Sequence, residues 1–304
     1  MLTCLGKRAR LGRIMQPASG RATILALDHG LTMGPMPGLE RLGERLQGAG
    51  RETADAIVLH QGMVGRFMHL FDGADRPGLI VHLSGATRLS PDASEKQLVC
   101  SVEHALRLGA DGVSVHVNLG VAAENQMLAD VASVSETCQR WGLPLLAMMY
   151  PRREPHTDKL EPDHVAHAVR LAMELGVDIV KVPYTGGQDS FARALQDTDI
   201  PVLVAGGAPL ETEEAILGFV AVVLEAGAHG VTFGRSIFQS KSPLRMARAV
   251  AAMVHARLSP EEALALLREE PFSDVRSLGG PRAVNLAGGR AELGLRAETS
   301  GASR

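Results

Sequence analysis

The sequence predicts an α/β fold, a closed (β/α)8 TIM barrel with a short N-terminal helix and an irregular C-terminal tail. Three observations carry this reading. Short, continuously apolar, β-branched runs recur eight times along the 304 residues, each closed by turn residues. Amphipathic helical patterns fill the gaps between them. The eight units span about 260 residues, as such barrels do, and no G-x-G-x-x-G follows the first run, as a doubly wound open sheet would require.

The elements follow in order. Leu5 to Met15 places Leu5, Ala9, Leu11 and Ile14 with helical spacing, which predicts an amphipathic helix packed on the barrel. Lys7, Arg8, Arg10 and Arg13 make it basic, but no apolar core follows, so it does not read as a secretory signal. Strands are expected at Ala22–Leu27, Ala56–Leu59, Gly78–Leu83, Gly112–Val117, Leu143–Met149, Asp178–Lys181, Pro201–Ala205 and Gly230–Phe233. Helices are expected at roughly 39–50, 61–68, 94–109, 122–141, 161–176, 188–197, 211–226 and 243–257, with a short one over 260–268. Ser94 and Glu161-Pro162-Asp163 mark two starts; Gly142, Gly176 and Gly227 mark three stops. One catalytic domain is thus expected over 1–270. From Pro271 the chain mixes Gly, Arg, Ala and Ser without period, which predicts a mobile tail over 271–304.

Composition narrows the function. With 45% hydrophobic and 21% charged residues and a net charge of −3, the chain is neither disordered nor a polycationic nucleic-acid binder. Aromatics make up 3% (one Trp, two Tyr, seven Phe), too few for a base-stacking platform. No apolar run approaches the roughly 20 residues of a membrane span. Cys4, Cys100 and Cys138 share no close spacing, which fits reduced thiols in the cytoplasm.

A barrel's chemistry gathers where its strands end. Lys181 ends an otherwise apolar strand. A lysine there is either a nucleophile, its ordinary pKa of ~10.4 lowered by desolvation or a nearby cation, or a counter-charge for a phosphate or for Asp28. Tyr150, at the end of the fifth strand, and Asp28, at the end of the first, are candidates for proton handling; alone, each also fits a hydrogen-bonded structural role. Gly206-Gly207 and Gly234-Arg235 follow the seventh and eighth strands, where barrels commonly bind phosphate. His60, His82 and His116, near the ends of strands two to four, either line the pocket or hold a metal ion; His164 and His167 read as surface residues.

The chain also resembles the archaeal-type class I aldolases of the DhnA group. The matching stretches include GKRARLGRIM at 6–15, LDHGLTMGPMPGLE at 27–40, LIVHLSGATRLSPD at 79–92, VEHALRLGADGVSVHVNLG at 102–120, WGLPLLAMMYPR at 141–152, PVLVAGG at 201–207 and GRSIFQ at 234–239. The resemblance implies a metal-free and cofactor-free Schiff-base enzyme, with Lys181 as the imine-forming lysine, Tyr150 as proton donor and Asp28 as catalytic aspartate. It also implies substrate and phosphate contacts at Asp28, His29, Gly30, Leu31 and Thr32, at Tyr150, Pro151 and Arg152, and at Gly206, Gly207, Gly234 and Arg235. Asn118 and Tyr184 join the three histidines as candidate pocket-lining residues. The implied reaction joins a C3 unit from a phosphorylated keto-sugar, of the 6-deoxy-5-ketofructose phosphate type, to aspartate semialdehyde. Sister activities use dihydroxyacetone phosphate as donor or cleave fructose bisphosphate. The group's members imply a homo-oligomer, often decameric. Gln61, Arg153-Glu154 and Val182-Pro183 depart from the group's usual residues. A metal-dependent lyase and a non-catalytic phosphosugar-binding barrel are the readings from other classes.

Overall fold

The computed structural model describes residues 4–152, 160–207 and 210–268. The tail expected over 271–304 and the Arg153-Glu154 pair lie outside the described residues. Eight parallel strands close into a barrel: β1 (Ala22–Ala26), β2 (Ala56–His60), β3 (Gly78–His82), β4 (Gly112–Leu119), β5 (Leu145–Pro151), β6 (Ile179–Val182), β7 (Val202–Ala205) and β8 (Gly230–Phe233). Each pairs with its sequence neighbour, and β1 pairs with β8 to close the ring, Ala22 opposite Gly230. The expected topology is the observed one.

Burial on both faces explains why these runs lack polar alternation. The inward parity of the strands, Ile24, Val58, Ile80, Leu146, Ile179 and Leu203, forms one apolar cluster inside the barrel. The outward parity packs against the surrounding helices. In the helix Pro162–Glu174, for example, Val165, Ala168, Val169 and Ala172 face the sheet at the spacing of one helical face. Burying such a Val or Leu side chain contributes about 1.5–3 kcal/mol. The N-terminal helix Leu5–Ile14 sends Ile14 into the interior cluster and so closes the barrel bottom. Gly142, Gly176 and Gly227 all have positive φ after helices, as their stop role requires.

Three helical expectations need correction. Between 39 and 50 only Leu42–Arg45 is helical, because Arg41 and Gly48 both adopt positive φ and break the run. The 61–68 helix is a single turn, Gln61–Val64, followed by a 3₁₀ stretch, Gly65–Phe71. The third changes the site. Residues 94–101 are not helical; Gln97–Leu98 pairs antiparallel with Ser84–Gly85, and the helix begins only at Val102. Its cap is Ser101, whose hydroxyl accepts the His104 N–H at 3.1 Å. The segment 86–98 therefore becomes a loop at the mouth. Two short helices were not expected from the sequence: His29–Met33 after β1 and Arg235–Phe238 after β8.

Candidate active site

The interior parity continues upward into the mouth. Two residues beyond Val58, Ile80 and Ile179 come His60, His82 and Lys181; beyond Leu146 come Met148 and Tyr150. His116 and Asn118 take the same positions on β4. Alternation alone thus aims these polar side chains at one space.

Two cavities share that space. The larger, about 670 Å³, is lined by Asp28, His60, His82, Lys96, His116 and Arg152 among others. The smaller, about 240 Å³, is lined by Gly206, Gly207, Thr232, Gly234 and Ser236. Lys181, Tyr150, His29 and Arg235 line both. Lys181 is 6% exposed, and its Nζ reaches Met148 Sδ on the neighbouring strand at 4.0 Å.

Asp28 sits 3.8 Å from His82 Nε2 and 3.7 Å from His29 Nδ1. Burial works to raise its pKa. His82, His29, Lys181 and His60 outweigh that and hold the carboxyl well below the usual carboxylate range. Burial pushes His82 down to about 4 and His116 down to about 3, so both are neutral at pH 7. His29 and His60 are lowered for the same reason. His82 Nδ1 bonds Ser114 Oγ at 2.8 Å, and its ring meets His60 edge-on at 5.2 Å.

Asn118 ties several of these groups together. Its Oδ1 accepts from Arg152 Nε at 2.6 Å and lies 2.9 Å from His116 Nε2, which makes that nitrogen the protonated one. Its Nδ2 donates to the Ser94 carbonyl at 2.5 Å, fastening the 86–98 loop. His116 stacks on Tyr150, and the Arg152 guanidinium lies 5.5 Å from the centre of that ring.

At the smaller cavity, Arg235 donates to the Gly207 carbonyl at 2.8 Å. Gly207 has φ +66°, and a side chain on Gly234 would strike the His29 ring and stand 2.7 Å from the Ala26 carbonyl. Backbone crowding therefore requires glycine at 234, and backbone conformation favours it at 207.

Not every expected residue reaches this space. Thr32 does, but Gly30 and Leu31 line a neighbouring apolar cavity with Gln61 and Val99. Pro151 and Tyr184 line a groove beside the mouth, and the Tyr184 ring packs against Phe191 and Phe219. Gln61 donates to the Val99 carbonyl at 2.7 Å, a second tie just beyond the end of the 86–98 loop. His164 and His167 are exposed. His82 and His116 are bonded to Ser114 and Asn118, and His60 Nδ1 is buried without a hydrogen-bond partner among the described residues. No group of three or more His, Cys, Asp or Glu among the described residues is arranged to hold a metal ion. Sequence reasoning missed Lys96, because a helix over 94–109 would have carried it elsewhere.

The DeoC/LacD family aldolase model matches residues 22–240, most of the chain and all eight strands. The chain belongs to this aldolase family. Similar to it is a 2-amino-3,7-dideoxy-D-threo-hept-6-ulosonate synthase of Archaeoglobus fulgidus, 41% identical over 264 residues, covering 87% of this chain and 96% of that one. So is a 2-amino-4,5-dihydroxy-6-oxo-7-(phosphonooxy)heptanoate synthase of Streptomyces griseus, 42% identical, covering 81% and 89%. The aldolase's barrel matches that of a Schiff-base-forming fructose-1,6-bisphosphate aldolase with a TM-score of 0.72 at 32% identity, covering 82% of this chain and 99% of that one. No helix among the described residues of the aldolase is long and apolar enough to cross a membrane.

Proposed function

We propose that this aldolase transfers a C3 unit from a phosphorylated keto-sugar, of the 6-deoxy-5-ketofructose phosphate type, to aspartate semialdehyde through a Schiff base on Lys181. The observation that carries the reading is the place of Lys181. Its amine is buried at the junction of two cavities, beside Tyr150 and Asp28, with the glycine turns and Arg235 on one side. Roughly 40% identity to synthases named for this product supports the substrate pair.

The chemistry follows from those positions. Lys181 Nζ adds to the ketone carbon, and loss of water, with Tyr150 supplying the proton to the departing hydroxyl, leaves an iminium. Asp28 takes the proton of the hydroxyl on the carbon β to the iminium as the Cα–Cβ bond breaks. That bonding pair forms the enamine C=C, the C=N pair moves onto nitrogen, and the β carbon leaves as a free aldehyde. The enamine carbon then attacks the aldehyde of aspartate semialdehyde. Tyr150 or Asp28 protonates the new alkoxide, and water releases product and lysine. Gly206, Gly207, Gly234 and Arg235 would hold the phosphate through backbone N–H groups and one guanidinium. This needs no metal and no cofactor.

Borohydride reduction with donor present should add the donor fragment's mass to the peptide carrying Lys181; an active enzyme with no such adduct would overturn the mechanism. A second reading, with dihydroxyacetone phosphate as donor, rests on the equally similar Streptomyces griseus synthase. Product masses from aspartate semialdehyde with each donor separate the two. We also place the enzyme as a homo-oligomer in the cytoplasm, which its three free cysteines suit and sedimentation in solution tests.

A further inference from the structure

The larger cavity contains one feature that Schiff-base chemistry at Lys181 does not use. Lys96 is 7% exposed, lines the cavity, and makes no hydrogen bond or ion pair among the described residues. A buried, unpaired ammonium is costly unless something neutralises it, so such a group in a cavity wall marks a missing anion. Its position is built rather than incidental. Gln97–Leu98 pairs with Ser84–Gly85 and turns outward, which leaves the preceding Lys96 facing in. Asn118 holds the same loop through the Ser94 carbonyl and, through its other atom, orients the Arg152 guanidinium.

Lys96 and Arg152 thus bring two cations to one wall of the larger cavity. Burial first, and Arg152 second, lower the Lys96 pKa, against the pull of Asp28 and Asp92. An anion seated beside them would favour the charged form of Lys96 and oppose both effects. The glycine turns line the smaller cavity, and Lys96 does not. The two anion-receptive regions therefore lie in different cavities that meet at Lys181.

We infer that Lys96, with Arg152, forms the anion subsite for the acceptor half-reaction and binds the carboxylate of the incoming aldehyde. The inference rests on the function proposed above. Lys96 is in this view a specificity residue, selecting aldehydes that carry a negative charge at the end remote from the reacting carbon. A lysine ammonium paired with a carboxylate away from bulk water discriminates strongly, because without the anion the cation stays unpaired.

The test compares aspartate semialdehyde with butanal, a neutral aldehyde of the same chain length, at saturating donor. Lys96→Met should lower kcat/KM for aspartate semialdehyde by roughly 10- to 100-fold, mostly through KM. Its effect on butanal should be smaller by about tenfold, and Lys96→Arg should restore much of the loss. An equal loss on both aldehydes, or none on aspartate semialdehyde, would overturn the inference. Lys96→Gln gives the same comparison if the methionine variant fails to fold. Borohydride trapping of donor on Lys181 is run alongside. A wild-type enzyme that forms no adduct fails the proposed function itself, whereas an adduct with no charge discrimination at residue 96 fails only this inference.

Discussion

The imidazole of His116 stacks on the phenol of Tyr150, ring centres 4.9 Å apart and planes 20° from parallel. His116 is in turn fixed by Asn118 at 2.9 Å. The Tyr150 hydroxyl is thus placed by neighbours that need not handle protons themselves. Tyr150→Phe keeps the stack and removes only the hydroxyl, so kcat should fall by roughly 10²- to 10⁴-fold with the fold intact. His116→Ala loosens the ring and should cost less. If His116 acts through Tyr150, the double variant falls little below Tyr150→Phe alone in steady-state assays; fully multiplicative losses would contradict that link.

Stability should depend on pH through His82. In the unfolded chain it titrates near 6.5, in the folded protein near 4. Between those values the unfolded chain carries a proton that the folded protein lacks. His82 therefore contributes its full share above about pH 6.5, and that share is lost as the pH falls towards 4, a change of about 3 kcal/mol. Asp28, lowered in the fold, loses its contribution only at more acidic pH. Urea midpoints measured from pH 7.5 to 4.5 should fall; His82→Asn should remove its share of the slope and leave the share of His116, which burial pushes down to about 3.

The strand-end residues were legible in the sequence because a buried parallel strand leaves little freedom. Once Ile179 faces inward, Lys181 must as well, and the same parity links Leu146 to Tyr150 and Ile80 to His82. The 94–109 segment misled for an equally physical reason. The spacing of Gln97, Val99, Val102 and Ala105 suits a helix, yet Gln97–Leu98 pairs with a strand remote in the local window. Tertiary pairing overrode the local pattern and hid Lys96. Gly30 and Leu31 matched a motif in order, but the turn His29–Met33 points them into the adjacent apolar cavity.

The glycines of the smaller cavity should respond differently to the same substitution. At Gly207 a methyl group meets nothing within 4 Å, so Gly207→Ala pays only for its left-handed backbone, about 1–2 kcal/mol. At Gly234 the methyl group strikes the Ala26 carbonyl and the His29 ring. Gly234→Ala should therefore shift β1 against β8, lower Tm further, and raise the donor KM by displacing His29. Thermal unfolding and donor titration measure the two effects; a milder effect at 234 than at 207 would count against the crowding argument.

Asp178 immediately precedes β6, the strand that carries Lys181, and its carboxylate meets Lys7 of the N-terminal helix at 2.8 Å, with both side chains under 10% exposed. Asp178 also accepts the Leu145 N–H at 2.9 Å. Lys7→Met would leave that carboxylate buried without its cation, which should cost about 3–5 kcal/mol. Adding Asp178→Asn removes the stranded charge, retains an acceptor for Leu145, and should recover part of the loss. The pair lies at the barrel bottom and Lys181 at the mouth, so well below the melting temperature kcat should change less than twofold. A large fall in kcat at unchanged Tm would mean that the bottom of β6 sets the geometry of Lys181. Calorimetry and steady-state assays on the same two variants decide between these outcomes.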